Sequence, residues 1–188
     1  MKRSHVLNDR EIKQVFAAIS RSAFPARNRA MFQLSIYAGM RVGEIAALLV
    51  DDVLAANGSV RAQIQLRAAQ TKGSDARTVL LNMQVQAELT EYLRIHKRQS
   101  GALFVSKVGR AFSSNSLCQA FARIYSDSSV DAATSHAGRH YFLTTLADKG
   151  VSIHVLAALA GHKNISTTMV YLTANANVMR AAVELIST

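Results

Sequence analysis

Residues 135–150, SHAGRHYFLTTLADKG, and 156–174, LAALAGHKNISTTMVYLTA, decide how this chain is read. Ser135 can cap a helix over 136–148 that closes at Gly150, and Ser152 caps a second one that ends at Gly161. Ser166 starts a short helix that runs through Tyr171. Into this apolar, helix-forming frame the sequence sets His136, Arg139, His140, His162, Lys163 and Tyr171. Imidazoles, a guanidinium and a phenol are an odd inventory for a plain core. They make good sense around a phosphate.

Upstream, the period is helical at both ends and alternating in the middle. Asn8 or Asp9 can cap a helix carrying Ile12, Val15, Phe16 and Ile19. After a connection at 21–25, a second helix places Met31, Leu34 and Ala38 on one side and stops at Gly39, and a short third covers 44–49. From Asp51 the alternation begins: Val53-Leu54, an Asn57-Gly58 turn, then Val60, Ala62, Ile64 and Leu66 against Arg61, Gln63, Gln65 and Arg67. The turn at 72–75 leads into Thr78-Val79-Leu80-Leu81, which predicts a small antiparallel sheet of about three strands. Helical character returns around Leu89, around Phe121, and in a last helix with an apolar stripe of Met179, Ala182, Val183 and Ile186. Residues 126–131 read as a loop. The fold class is mainly α with a small antiparallel β-sheet (α+β), organised as one domain over 1–188: a core to about residue 173 and a terminal helix over 174–188.

Composition narrows the partner. The formal charge of +10, spread along the chain, points to a polyanion, with nucleic acid ahead of an anionic membrane surface. Hydrophobic residues make up 49%, enough for a buried core. No secretory signal follows Met1, and no run approaches the length of a membrane span. The single cysteine, Cys118, excludes an internal disulfide and a cysteine-built zinc site, which suits a reducing cytoplasm.

Two upstream basic residues beside turns complete a set. Arg41 lies between Gly39 and Gly43 at a helix junction, and Lys72 sits at a hairpin tip. With His136, Arg139, His162 and Tyr171 the order is Arg, Lys, His-x-x-Arg, His, Tyr. GMRVGEIAAL (39–48), TKGSDARTVLL (71–81), HAGRHYFLTTLADKG (136–150) and AGHKNISTTMVYL (160–172) together resemble the catalytic domain of the tyrosine recombinases, the phage integrase family. The tyrosine stands nine residues after the last histidine, and the resemblance extends from LNDREIKQV (7–15) to the tail.

That resemblance implies a tyrosine recombinase catalytic-domain-like fold and a site-specific recombinase or integrase of a phage or other mobile element. Such an enzyme cleaves and rejoins double-stranded DNA through a 3′-phosphotyrosyl bond, with no metal and no cofactor. It implies Tyr171 as nucleophile, His136 in proton transfer, Arg41 and Arg139 on the non-bridging oxygens, Lys72 as acid for the leaving 5′-oxygen, and His162 as a phosphate hydrogen-bonding group. Glu44 would hold Arg41, His140 would neighbour the site, and Lys72, Arg77 and Lys163 would contact DNA. A tetramer on DNA, accessory DNA-bending proteins and a tail packed on a neighbouring subunit belong to the same expectation; the tail folding back on its own domain is the alternative.

Each residue alone has a plainer reading. Arg41 and Lys72 could be solvated cations, His162 a helix C-terminal histidine, and Tyr171 a half-buried aromatic. His136 and His140, four apart, could suggest a metal pair, but the glutamate of an HExxH helix is absent. The family usually has leucine where Gly138 stands, so a looser site is expected there. The family's amino-terminal clamp domain is also expected to be absent, leaving weak, strongly salt-sensitive DNA binding. A DNA-binding protein without turnover and a type IB topoisomerase are the rival functions.

Overall fold

The computed structural model describes residues 5–71, 76–171 and 183–184, and its pillar is α2 (Pro25–Tyr37). Proline at its first position starts the helix two residues before Arg27, because φ is already fixed there and no N–H is lost from the ladder. The sequence shows one apolar side, yet Arg27, Asn28, Gln33 and Ser35 are buried along with Met31, Phe32, Leu34 and Ile36. Burial of the polar residues is tolerated because most find partners. Gln33 Nε2 donates to Glu88 Oε2 at 2.8 Å, Asn28 Nδ2 to Ser22 Oγ at 3.0 Å, and Arg27 NH1 to the Val105 carbonyl at 2.9 Å. The Arg27 guanidinium also lies over the Phe24 ring, 4.2 Å from its centre.

Around α2 pack α1 (Asp9–Ser20), α5 (Met83–His96) and α7 (Ala137–Asp148), while α6 (Ser114–Asp127) lies against α1 and α3 (Val42–Ala46). Asn8 caps α1 reciprocally with Glu11: Asn8 Oδ1 accepts the Glu11 amide at 3.0 Å and Glu11 Oε2 the Asn8 amide at 2.8 Å. α6 runs through Asp127, two residues into the stretch read as a loop. At α7 the cap position is His136 rather than Ser135, and Thr134 Oγ1 accepts the His136 amide at 3.3 Å.

The sheet is smaller than expected. Among the described residues it has two strands, β1 (Gln63–Leu66) and β2 (Arg77–Leu80), antiparallel with Gln63 opposite Leu80 and Leu66 opposite Arg77. The third arm fails because residues Val50–Val53 coil into a helical turn, α4. Asp52 Oδ2 accepts the Leu49 amide at 2.9 Å, capping that turn, and Leu54 is left with a single bridge to Val60. The stretch with Lys72, expected as a turn between the strands, lies outside the described residues. Its approach is pinned by buried Gln70, whose Nε2 donates to the Ala47 carbonyl at 3.0 Å and to Asp52 Oδ2 at 2.6 Å.

The looser packing expected at Gly138 does not appear. A Cβ there would overlap Ser35 Oγ and stand 2.9 Å from Ser35 Cβ and 3.0 Å from Ile36 Cγ2. The missing side chain is what lets α7 close on α2, so no void replaces it. The chain then continues through α8 (Ile153–Ala160) and α9 (Ser166–Met169). Of the terminal apolar stripe only Val183 is described, and it is exposed; Met179, Ala182 and Ile186 lie outside the described residues. Among the described residues no helix is long and apolar enough to cross a membrane.

Candidate active site

Three guanidinium groups converge on the carboxyl end of α8. Its last carbonyls have no intrahelical partner, and the helix dipole makes that end negative. Arg77 NH1 donates to the Leu159 carbonyl at 3.0 Å, and Arg139 NH2 to the Ala160 carbonyl at 2.6 Å. Arg41 NH2 reaches the same Ala160 oxygen at 3.4 Å. Gly161 ends the helix at φ +60°, and a Cβ on it would meet Arg77 Cδ at 2.6 Å.

Among the described residues, one carboxylate stands among these cations. Glu44, in the first turn of α3 and 1% exposed, accepts from the Arg41 amide (2.8 Å), Arg41 NH1 (2.8 Å), Arg77 Nε (2.9 Å) and Arg77 NH2 (2.6 Å). Four donors occupy the four lone-pair directions of the two oxygens. Burial alone raises its carboxyl pKa, but the hydrogen bonds and charges from Arg77 and Arg41 outweigh that and hold it below the usual carboxylate range. Three fixed positive charges therefore face one negative charge, and the excess is an invitation to an anion.

Arg139, on the buried face of α7, is held by Gly39 as well. Its NH1 donates to the Gly39 carbonyl at 2.6 Å, in the turn that leaves α2. Burial, then the charges of Arg41 and Arg77, bring its pKa down to about 9, so it remains protonated at neutral pH. Arg41 is the more open of the two, with 26% of its side chain exposed.

His162 lies directly against Arg139, Nε2 to NH2 at 3.2 Å, and its Nδ1 meets Thr168 Oγ1 at 2.9 Å. Burial and the three arginines lower its pKa to about 4, which leaves a neutral imidazole at neutral pH. Tyr171 is half-buried, its ring stacked near His162 at 6.4 Å and edge-on to His140 at 5.2 Å. Burial raises the phenol pKa, and the positive charges of Arg139 and Arg41 offset only part of that rise. His140, on α7, is itself lowered by burial, by His136 and by Arg139. His136 occupies the exposed start of α7, one turn before His140, and Lys163 is exposed beside His162.

The structure thus brings Arg41, Glu44, Arg139, His140, His162 and Tyr171 into one cluster, while Lys72 falls outside the described residues. Arg77 is placed differently from its expected DNA contact: its side chain is 9% exposed and its guanidinium faces inward on Glu44 and Leu159. Its position opposite the last residue of β1, pointing at α8, follows from strand register that the sequence alone does not supply. Thr168 and the Gly39 and Ala160 carbonyls are further parts that the sequence reading missed. The Ser166-Thr167-Thr168 run offered helix-start residues but no sign of which hydroxyl turns inward.

Comparison with known proteins gives the family and the fold. The profile described as the phage integrase family matches residues 5–177. The chain is 28% identical to tyrosine recombinase XerC of Lactobacillus delbrueckii subsp. bulgaricus, covering 86% of this chain and 55% of that protein. It is 33% identical to the TnP I resolvase of Bacillus thuringiensis, covering 85% of this chain and 54% of the resolvase. The chain spans about half the length of these curated relatives. Among solved structures, XerA recombinase superposes with a TM-score of 0.77 at 23% identity, over 98% of this chain and 66% of that one. The catalytic domain of bacteriophage HP1 integrase gives 0.62 at 20% identity, over 96% and 94%. At these identities the superpositions speak for the fold.

Proposed function

The chain belongs to the phage integrase family, and from that premise we propose that it cuts and rejoins double-stranded DNA, with Tyr171 as the attacking group. The observation that carries this reading is the charge imbalance beside the phenol among the described residues: Arg41, Arg77 and Arg139 around the carboxylate of Glu44. A phosphodiester brings the missing negative charge. Arg41 and Arg139 take its non-bridging oxygens, where charge accumulates as the fifth oxygen arrives. Arg77 and Glu44 hold Arg41 in place and make no DNA contact themselves.

The Tyr171 oxygen attacks phosphorus, its proton passing to His136 or water, while the bond to the 5′-oxygen breaks and Lys72 protonates that leaving oxygen. The product is a 3′-phosphotyrosyl bond, which keeps the energy needed for rejoining. His162 hydrogen-bonds a phosphate oxygen, and Lys163 contacts the backbone nearby. His140 packs on the tyrosine ring and fixes its approach. Fixed positive charge and a positioned leaving-group acid supply the stabilisation, and the step uses no nucleotide.

The biological setting is an integrase or resolvase of a phage or mobile element, acting in the cytoplasm as a tetramer on DNA, with DNA-bending accessory proteins and the terminal helix packed on a neighbouring subunit. Support for DNA as the partner comes from the +10 charge and from relatives whose structures were solved with DNA, the Tn1549 transposon integrase and XerH. The test is a nicked duplex carrying the candidate site, incubated with protein and denatured. A covalent protein–DNA band is expected, and it should vanish in Tyr171→Phe. No band at micromolar protein favours DNA binding without turnover. Relaxation of any supercoiled plasmid, without site preference, favours a type IB topoisomerase.

A further inference from the structure

His162 is gripped on both ring nitrogens, and the two grips settle its proton. A guanidinium only donates, so the contact of Arg139 NH2 with His162 Nε2 at 3.2 Å makes Nε2 an acceptor. The ring is neutral, so its one proton sits on Nδ1 and is donated to Thr168 Oγ1 at 2.9 Å. Thr168 is fully buried, and its main-chain carbonyl accepts the Tyr171 amide at 3.1 Å. One buried residue therefore touches the imidazole with its side chain and the tyrosine segment with its backbone.

We propose that Thr168 is the positioning residue of this site, holding the ring plane of His162 in either tautomer and tying it to the seat of Tyr171. The inference rests on the reading of the site given above. It explains why a hydroxyl stands here rather than another apolar group. With no phosphate present, the Thr168 oxygen accepts from Nδ1–H, and Nε2 is left to Arg139. When a phosphate draws Arg139 toward its own oxygens, His162 is useful only if Nε2 carries the proton. One proton then leaves Nδ1 to water and one arrives at Nε2, with no change of charge. The hydroxyl rotates to donate to the bare Nδ1. Serine or threonine serves both states; valine serves neither and leaves a half-buried Nδ1–H unpaired.

The test uses the full chain and long-range ¹⁵N spectra of the imidazoles, with His162 assigned among the six histidines by its loss in His162→Gln. The free wild type is expected in the Nδ1–H form, and Thr168→Ser likewise; Thr168→Val should keep that form under Arg139 but lose the Nδ1–H hydrogen bond, read as a shift of its ¹⁵Nδ1 resonance. Cleavage of the nicked duplex should fall at least about tenfold in Thr168→Val and recover in Thr168→Ser. A wild-type Nε2–H tautomer, or an unchanged Nδ1 resonance in folded Thr168→Val, overturns the proposal. If Thr168→Val does not fold, the wild-type tautomer and Thr168→Ser still decide. If the wild type forms no covalent complex, the functional reading fails while the tautomer measurement continues to judge Thr168.

Discussion

Arg77 and Glu44 meet as a two-toothed pair, Nε to Oε1 at 2.9 Å and NH2 to Oε2 at 2.6 Å, with both side chains nearly sealed from solvent. A fork of this kind fixes the carboxylate in plane, and the plane in turn aims Glu44 Oε1 at Arg41. Removing one partner leaves a buried charge exposed to the full cost of its lost hydration. Arg77→Ala and Glu44→Gln should each lose about 3–5 kcal/mol, read from the midpoint of chemical denaturation. Arg77→Lys keeps the charge but loses the fork, and it should recover only part of that loss. A loss below about 1 kcal/mol in Arg77→Ala means that the pair does not organise the site.

Arg41 is expected to behave the opposite way. Its side chain is 26% exposed, and its grip on Ala160 is a long 3.4 Å, so little stability depends on it. Arg41→Ala should leave the denaturation midpoint within about 1 kcal/mol of wild type, since the lost cation is partly solvated and Arg77 still holds both oxygens of Glu44. Covalent complex formation should nevertheless drop about 10²–10³-fold, as for loss of one donor to a transition-state oxygen. Equal losses in stability and activity count against a direct role.

How far the sequence reaches can be judged residue by residue. Helix existence and most caps are local matters, and Asn8, Ser152, Gly39 and Gly161 all sit where residue type predicts. The cluster of Arg41, Arg139, His162 and Tyr171 was legible because each stands in an ordered motif. Arg77 was not, because its inward turn depends on the register of β2 and on the Leu159 carbonyl, neither of which leaves a local mark. Gly138 was misread for the same reason: its meaning is the approach of Ser35, more than a hundred residues upstream. The failed third strand has a local cause, the capping of α4 by Asp52, which competes with the alternating pattern and wins.

Gly138 therefore supports a prediction against intuition. Alanine in a helix gains about 1 kcal/mol in propensity over glycine. Here its methyl would overlap Ser35 Oγ and press on Ile36 Cγ2, a crowding that costs about 1–3 kcal/mol. Gly138→Ala should lower the melting temperature, and Gly138→Leu, the residue usual in the family, should lower it further. Ser35→Gly in the same chain should return part of the loss, so a double-mutant cycle shows positive coupling. Stabilisation by Gly138→Ala alone means that α7 moves aside at no cost.

The pH dependence follows from His162. Its pKa is about 4 in the folded chain and near 6.5 in an unfolded one, so between those values the unfolded chain binds more protons. Stability is then fully present above about pH 6.5 and falls as the pH drops toward about 4. His140, also lowered, pulls in the same direction. Glu44, held below the carboxylate range, adds a further loss at still lower pH as it takes up a proton. Denaturation midpoints measured across this window should slope upward with pH, and His162→Gln should flatten the slope.

Gly161 separates backbone strain from crowding. Its φ of +60° is a conformation that costs other residues about 1–2 kcal/mol, least of all asparagine. A side chain there also meets Arg77 Cδ at 2.6 Å, and Arg77 is tethered at one end by Glu44 and at the other by its strand. If strain dominates, Gly161→Asn should be clearly milder than Gly161→Ala. Crowding should dominate, because the Arg77 stem has nowhere to go without releasing Glu44. Both variants should then lose similar stability, and Arg77→Ala should absorb most of the added cost in the double variant. Covalent complex formation should fall alongside in both, since Ala160 and His162 flank the glycine and Arg41 leans on the same carboxylate. A mild Gly161→Asn with normal cleavage places the constraint in the backbone alone.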